Sequence, residues 1–400
     1  MGETISESVT TAEPQRSQVG TDAPLGGVLR RLRADSTASS FFMGRAERVA
    51  IPEAGRALAI AGLYRLGHRH PILVVVPTEA EAERLHHDLG EFIGPRAVSL
   101  FPAWETLPFE RMSPSVETMG RRSEVTLLLG VGASGLDGGA DAEPSGDNAG
   151  GTAGDSDAPS PGVIIAPIRA LIQRLAPSGA KRILSLRPEQ RIDRDQIVVA
   201  LARLGYRREY QVEARGEFAV RGSIIDIYPS TAQHPVRIDM WDDEIERIDE
   251  FAVADQRRTY QVDAVHVAPA REVLLDADMR ERARALIDEQ PWGAENWQRL
   301  ADGEIFDGME SWLPWLVDAD ELLTDRLPKD GLILLCEPGR LRDRAEMLAD
   351  EERDLARSLA VTWGAHGEEF PRLSLPFGQL LGRSVADVWT SLSLPDGPDT

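Results

Sequence analysis

The sequence predicts an α/β protein with a parallel sheet, followed by a small α+β domain and a third region of mixed α/β character. Strand and helix signals alternate over residues 28–180, and strands that alternate with helices form parallel sheets. From about residue 181, one helix signal precedes three closely spaced strand-like runs, which indicates an antiparallel meander. Residues 256–394 return to a mixed pattern that includes a buried-strand candidate at 331–336 and an amphipathic helix at 341–359.

Within the first region the elements can be placed one by one. Residues 53–66, rich in Ala and Leu, predict a helix, and the apolar run inside 71–77 predicts a strand that is covered on both faces. A capping box opens the next helix over 78–92. A further helix is expected at 119–129, and 163–175 repeats the order of a strand and then a helix.

Low-complexity or polar segments interrupt the first region and stand at both ends of the sequence. Residues 132–160 contain one large apolar residue, Leu136, six acids and no base, so they cannot bury enough apolar surface to offset the entropy of ordering. We expect them to form a flexible insert within the first region. Residues 1–27 are expected to be a disordered tail, and 395–400 a linker.

The small domain is expected over 181–255. Its helix starts at Asp193 and ends at Gly205, with its apolar residues on one face. Its strand-like runs span 216–228, 235–241 and 245–251, and the acidic sequence 242–244 makes the turn between the last two.

Composition excludes several classes of function. The chain carries 44 basic and 66 acidic residues, a formal charge of −22, which argues against a surface built mainly to neutralise phosphates. Lysine occurs only at 181 and 329, and the single Cys336 excludes a disulfide framework and a cysteine zinc site. Since there is no apolar run of membrane-spanning length and no secretory signal in the opening residues, we expect a cytoplasmic protein without membrane contact.

The sequence also lacks the residues that three familiar kinds of site require. No Gly-Lys-Ser/Thr triplet exists, and the segment 42–56 where a phosphate-binding loop should fall lacks it as well. Residues 242–244 follow an alternating run and not a buried apolar strand, so they are interpreted as a solvated turn and not a magnesium site. The histidines lack metal-ligand spacing, and Cys336 is expected to be an inert core residue.

Two clusters remain. Residues 104–109 place two aromatic side chains and a proline in a loop, which favours a packed structural loop. Arg221 and Arg237 accompany Trp241, and positions 237, 239 and 241 share one face of a strand. Arginine and tryptophan on an exposed sheet face are typical of an interaction surface, although the arginines could instead only cover their own sheet.

These residues carry a resemblance to a known family. The strings are Phe101–Glu110 (FPAWETLPFE), Gly216–Gly222 (GEFAVRG), Ile225–Pro229 (IDIYP) and Asp255–Arg257 (DQR), together with Ser113, Pro114 and Arg121. In this order they resemble the N-terminal region of bacterial transcription-repair coupling factors (Mfd), from about residue 40 to 390.

The resemblance implies an N-terminal module similar to the excision-repair protein UvrB. Residues 28–180 would be a RecA-like domain 1a, 181–255 an inserted domain 2 that binds UvrA, and 256–394 a domain 1b that packs on the first. It assigns UvrA contacts to Arg221, Arg237 and Trp241. It also assigns ATP, magnesium, RNA polymerase and DNA to the C-terminal parts of full-length members, which are ATP-dependent DNA translocases.

Two departures from UvrB bear on function. The nucleotide loop is absent, and residues 107–114 run directly toward the next helix, without the Tyr-rich hairpin that UvrB uses to clamp DNA. Both imply a non-catalytic adaptor that recruits UvrA to stalled RNA polymerase in nucleotide excision repair, with no cofactor or metal of its own. The alternative is a UvrB-like, nucleotide-dependent DNA enzyme with an atypical site, and a third possibility is a regulatory brake.

Overall fold

The structure is a computed structural model, and the residues it describes are 23–34, 42–43, 48–107, 109–130, 162–177, 183–363, 365 and 370–393. The predicted insert 132–160 and linker 395–400 lie outside these residues, as does most of the predicted tail. The first described helix begins at Gly26, inside the last two residues assigned to that tail. Among the described residues, no helix combines the length and apolar character needed to cross a bilayer.

Helices and strands alternate at both ends of the chain, and strands dominate the middle. The α-helices are α1 (Gly26–Ala34), α2 (Arg56–Leu66), α3 (Glu79–Ile93), α4 (Val116–Gly130), α5 (Ile168–Leu171), α6 (Arg194–Arg203), α7 (Ala277–Glu289), α8 (Ala294–Asp302), α9 (Leu313–Leu316) and α10 (Pro338–Trp363). The strands are β1 (Arg48–Ala50), β2 (Ile72–Val76), β3 (Val98–Leu100), β4 (Val163–Pro167), β5 (Leu184–Leu186), β6 (Arg207–Arg208), β7 (Glu217–Arg221), β8 (Ile224–Ile227), β9 (Val236–Trp241), β10 (Glu244–Phe251), β11 (Arg258–Gln261), β12 (Val265–Val267), β13 (Leu332–Cys336) and β14 (Asp387–Leu392).

A six-stranded parallel sheet forms the larger part of the protein, with the order β1-β14-β13-β2-β4-β3. Every residue of β2, β4 and β13 is buried, because helices cover both faces of the sheet. The predictions of a doubly covered strand at 71–77, a strand at 163–166 and a buried strand at 331–336 are therefore confirmed. The helix predicted at 168–175 is shorter than expected, since α5 ends at Leu171.

The two central neighbours β2 and β13 come from regions that are distant in sequence. Leu332 pairs with Ile72 and Leu335 with Val75, so β13 hydrogen-bonds directly to β2. Residues 256–394 are predicted to form a third region, yet their strands β13 and β14 complete the first sheet. An apolar run such as 332–336 must be covered on both faces, and the centre of this sheet provides that cover.

The small domain contains a second six-stranded sheet, with the order β11-β10-β9-β8-β7-β6. Its strands pair antiparallel except for β6 and β7. One face packs on Ile197 and Leu201 of α6, as the period of the sequence predicts. The run 216–228, predicted as one strand, is instead a hairpin, because Gly222 adopts a left-handed φ of 61° and turns β7 into β8.

Strands beyond residue 255 also belong to this domain. β11 pairs with β10, and β12 pairs with β5 at the point where the chain enters and leaves the domain. Val265 and Val267 pack with the α6 side of the sheet.

A buried polar cluster joins the small domain to the parallel sheet. Arg122 of α4 donates from Nε to Oε2 of Glu272 at 2.6 Å, and the Trp104 indole donates to the same oxygen at 2.7 Å. All three side chains are almost completely buried. Beside them, α4 approaches the domain at Gly120, where an added Cβ would lie 2.5 Å from Oγ of Ser230. Helix α4 is thus a support shared by both parts.

Helix α7, which the sequence analysis does not identify, begins with a specific cap. Oδ1 of Asp276 accepts a hydrogen bond from the Met279 amide at 2.9 Å. We expect Asp276→Ala to lower the free energy of unfolding by about 1 kcal/mol, because the first turn then loses an acceptor for its unpaired amides. Urea denaturation measures the change. Asp276→Asn, which retains the side-chain oxygen, is the matched control, and an equal loss in both variants would contradict the capping role.

Candidate protein-docking face

The predicted site lies on the face of the small sheet that is opposite α6. On β9 the buried residues Ile238 and Met240 point toward α6, so Arg237, Asp239 and Trp241 share the other face. Asp226 of β8 lies opposite Arg237 in the strand register, and Arg221 ends β7 on the same face. We call the surface formed by these five residues the arginine face.

Both predicted arginines bind one buried carboxylate. Arg237 donates from Nε to Oδ1 of Asp226 at 2.7 Å and from Nη2 to Oδ2 at 2.9 Å. Arg221 donates from Nη2 to the same Oδ2 at 3.4 Å. The Asp226 side chain is only 2% exposed, so the geometry of both guanidinium groups is set from inside the sheet. Charge-assisted, bidentate pairs of this kind are the strongest ordinary hydrogen bonds in proteins.

The two arginines differ in how much of them a partner could reach. The Arg237 side chain is 14% exposed, lies over the Phe251 ring at 4.7 Å and donates to the Gln256 carbonyl at 3.1 Å. Hydrogen bonding to Asp226 raises the pKa of Arg237 above its usual value, so the group stays charged. The Arg221 side chain is 43% exposed and lies 5.9 Å from the centre of the Tyr210 ring.

Trp241 is the last residue of β9 and is 76% exposed. The turn predicted at 242–244 is confirmed, with Asp242 in the left-handed region at a φ of 55°. Trp241 lies four positions after Arg237 in β9, which places it about 13 Å farther along the strand. The structure therefore brings Arg221 and Arg237 together and places Trp241 on the same face at a distance from them. Their role in binding stays a prediction.

Sequence reasoning missed a second charged cluster on this sheet. Asp249 of β10 accepts from Nε of Arg247 at 2.8 Å and from Nη1 of Arg258 at 3.1 Å, and Arg258 also donates to Asp239 at 2.8 Å. The alternation of Arg247, Asp249 and Phe251 along β10 was a usable signal. The register that sets this strand beside β9 cannot be derived from that alternation, because a bulge interrupts the pairing between residues 245 and 247.

The loop at 104–109 is a packed structural loop, as predicted. Trp104 and Phe109 are buried, and Phe109 packs against Trp315 and Phe370 with ring centres 5.8 and 5.5 Å apart. The Glu105 carboxylate accepts hydrogen bonds from Ser115 and Thr118 at the start of α4, and these bonds hold its pKa below the usual value despite partial burial.

The sequence lacks a phosphate-binding loop before α2, and the first residue of α2 forms an ion pair. Arg56, the first residue of α2, is 4% exposed and donates to Oε1 of Glu337 at 3.1 Å and to Oγ of Ser393 at 3.2 Å. Glu337 directly follows β13 and adopts a left-handed φ of 57°. Its carboxylate is thus committed to a contact within the chain.

Comparisons with known proteins agree with this geometry. A family model described as the UvrB interaction domain matches residues 184–273, which include the whole arginine face and the strands β11 and β12. A transcription-repair-coupling factor of Mycobacterium bovis is 35% identical over 360 residues, covering 86% of this chain and 27% of that protein.

More distant relatives carry the same name. The transcription-repair-coupling factors of Bacillus subtilis and Escherichia coli are 26% and 27% identical, over 72% and 62% of this chain and 24% and 20% of their own lengths. The chain spans about a quarter of the length of these curated relatives.

Proposed function

We propose that this chain, which resembles the N-terminal region of transcription-repair-coupling factors over most of its length, is a non-catalytic adaptor that binds UvrA. In this role it recruits UvrA, the damage-recognition ATPase, to RNA polymerase stalled in transcription-coupled nucleotide excision repair. Contacts with RNA polymerase and DNA, and ATP-driven translocation with its magnesium, are assigned to parts of the longer relatives that this chain does not span.

The observation that supports UvrA binding is the arginine face. An exposed indole and a partly exposed, pre-positioned guanidinium lie on one sheet face within the residues that match the UvrB interaction domain. Tryptophan and arginine are the residues most enriched among those that dominate binding energy at protein interfaces. Because Asp226 holds Arg237 bidentately, that guanidinium loses little side-chain entropy when a carboxylate of the partner binds, and Arg221 lies beside it with one contact to Asp226 at 3.4 Å.

The surroundings of Arg56 support a non-catalytic role. A nucleotide site of the P-loop type needs backbone amides and a lysine for the phosphates, and an acidic residue for magnesium. Here the first residue of α2 is a buried arginine, and its guanidinium is bonded to the carboxylate that follows β13. We therefore propose no cofactor for this chain.

We also propose that the UvrA-binding domain ends near residue 273 and not at 255. Strands β11 and β12 pair with the elements before them, and the family model extends over both. The remaining residues before and after this domain share one parallel sheet, so we propose that the parts expected as domains 1a and 1b form a single unit around an inserted domain 2.

The test of the docking role is binding of purified UvrA to the chain and its variants. Arg221→Ala and Trp241→Ala are each expected to weaken binding at least about fivefold, because each removes a side chain of the type that dominates interfaces. Arg203→Ala is the matched control, since Arg203 is exposed on α6, on the opposite side of the sheet. Unchanged affinity in both test variants would contradict the assignment of these residues.

A second measurement addresses catalysis. We expect the chain to show no ATP hydrolysis above background, with or without DNA, because the sequence has no Gly-Lys-Ser/Thr triplet and the Glu337 carboxylate is bonded to Arg56. Turnover stimulated by DNA would contradict the adaptor and favour the UvrB-like enzyme with an atypical site.

A further inference from the structure

We infer that the docking surface continues from the arginine face across β10 and β11 to Arg247 and Arg258, and that its partner is a protein surface carrying separate carboxylates. This inference rests on the proposed function, since it extends the surface that would bind UvrA. The three predicted site residues cover only β7 and β9, whereas the same sheet face continues over two more strands.

The carboxylates and the guanidinium groups on this sheet face differ in burial. The Asp226, Asp249 and Asp239 side chains are 2%, 1% and 20% exposed. Three of the four arginines that bind them have more exposed side chains, Arg221 at 43%, Arg247 at 46% and Arg258 at 35%, whereas Arg237 is 14% exposed. The carboxylates therefore lie inside the layer and the guanidinium groups outside it, so the face presents positive charge on a chain whose formal charge is −22.

The aspartates that bind Arg247 and Arg258 fix the geometry of these two arginines. Arg247 binds Asp249 through Nε at 2.8 Å and Nη2 at 2.7 Å, while Arg258 bridges Asp249 and Asp239. A guanidinium has five N–H donors in a rigid fork, so those not directed at the aspartates remain for carboxylates of a partner. Asp249 thus holds Arg247 and Arg258 much as Asp226 holds Arg237, and Asp239 of the arginine face also binds Arg258, so the two clusters form one continuous, pre-organised surface.

Acidic side chains beside the arginine face indicate which class of partner it binds. Asp242, Asp243 and Glu246 are exposed around the turn beside Trp241. A polyanion such as DNA would meet this acidic turn and be repelled, because its charges are continuous. A protein can place carboxylates opposite the arginines and basic or neutral groups opposite the turn. Exposed aromatic side chains at Tyr210 and Trp241 further fit a protein interface, where aromatic residues are enriched at the core.

The test measures UvrA affinity of the chain at several salt concentrations for Arg247→Ala and Arg258→Ala. Each variant is expected to bind at least about fivefold more weakly and to show a shallower dependence of affinity on salt, because one charge contact is lost. Arg203→Ala is expected to match the unaltered chain in both respects. Thermal unfolding of each variant verifies folding, and Arg247→Ala is the safer variant, because Asp249 then keeps its bond to Arg258.

The outcomes separate this inference from the proposed function. If Arg221→Ala and Trp241→Ala weaken binding while folded Arg247→Ala and Arg258→Ala do not, the extension is wrong and the proposed function stands. If the unaltered chain does not bind UvrA, both are wrong. If duplex DNA binds the chain and Arg247→Ala abolishes that binding, the surface takes nucleic acid and the inferred class of partner is wrong.

Discussion

Replacing Glu272 with alanine is expected to lower the free energy of unfolding by about 3–5 kcal/mol, because it leaves the Arg122 guanidinium charged and buried without its anion. The carboxylate accepts bonds from Arg122 at 2.6 Å and from the Trp104 indole at 2.7 Å, and both donors are almost completely buried. Since Glu272 follows the last strand of the small domain, the loss affects the junction with α4. Urea denaturation, followed by circular dichroism, measures it.

Two further variants identify the cause. Glu281→Ala removes an exposed carboxylate from α7 and is expected to change stability by less than about 0.5 kcal/mol. The double variant Arg122→Met, Glu272→Leu removes both charges and is expected to recover much of the loss, since hydrophobic replacements of whole buried pairs are often tolerated. A Glu272→Ala protein as stable as the Glu281→Ala control would show that the buried pair does not support the junction.

Raising the pH through the range from 9 to 12 is expected to destabilise the fold through two buried acids. Burial raises the pKa of Tyr206 from its ordinary 10.0 to about 12, and that of Cys336 from 9.0 to about 12. Their neutral forms stabilise the folded state fully below the unfolded pKa values, and this stability is lost as the pH rises toward the folded ones. The shifts correspond to about 3 kcal/mol for Tyr206 and about 4 kcal/mol for Cys336.

Single variants show how much of the folding stability lost at alkaline pH comes from Tyr206 and how much from Cys336. Tyr206→Phe costs stability at neutral pH, because the hydroxyl donates to the Ala268 carbonyl and accepts from the Ser230 amide. It should nevertheless flatten the decline between pH 10 and 12, and Cys336→Ala should flatten the decline above pH 9. The chain has only two lysines, so few amino groups titrate in the same range. Denaturant titrations at fixed pH measure the slopes, and unchanged slopes in both variants would contradict these pKa shifts.

Local periodicity was enough to place most elements of the first region and of the small domain. The apolar run at 71–77 suits a strand covered on both faces and the run at 331–336 suits a buried strand, and both predictions are confirmed. The run 216–228 was misread as one strand because Gly222 and Ser223 lie inside an otherwise strand-like pattern, and a two-residue hairpin leaves few other signs. Helix α7 was missed although its cap, Asp276, is an ordinary start signal.

The candidate site was found only in part. Arg237 and Trp241 could be assigned to one face from the period of a single strand. Asp226 was not recognised as the common partner of Arg221 and Arg237, because its pairing with Arg237 depends on the register between β8 and β9. Arg258 was missed for the same reason, since it reaches Asp249 only through the pairing of β10 and β11, whereas the alternation of Arg247 and Asp249 within β10 was available in the sequence.

The amino-acid sequence by itself determined many of the strands and helices, the absence of a phosphate-binding loop, and a family resemblance that the matching relatives confirm. These properties depend on residue types and on spacings of a few positions, which local sterics and hydrophobic periodicity translate directly into structure. Only the tertiary structure decided that β13 lies beside β2, that Asp226 and Asp249 hold four arginines on one face, and that Arg122 meets Glu272. Apart from the pair Arg247 and Asp249 within β10, these contacts join separate parts of the chain, which strand register and burial bring together and no local pattern encodes.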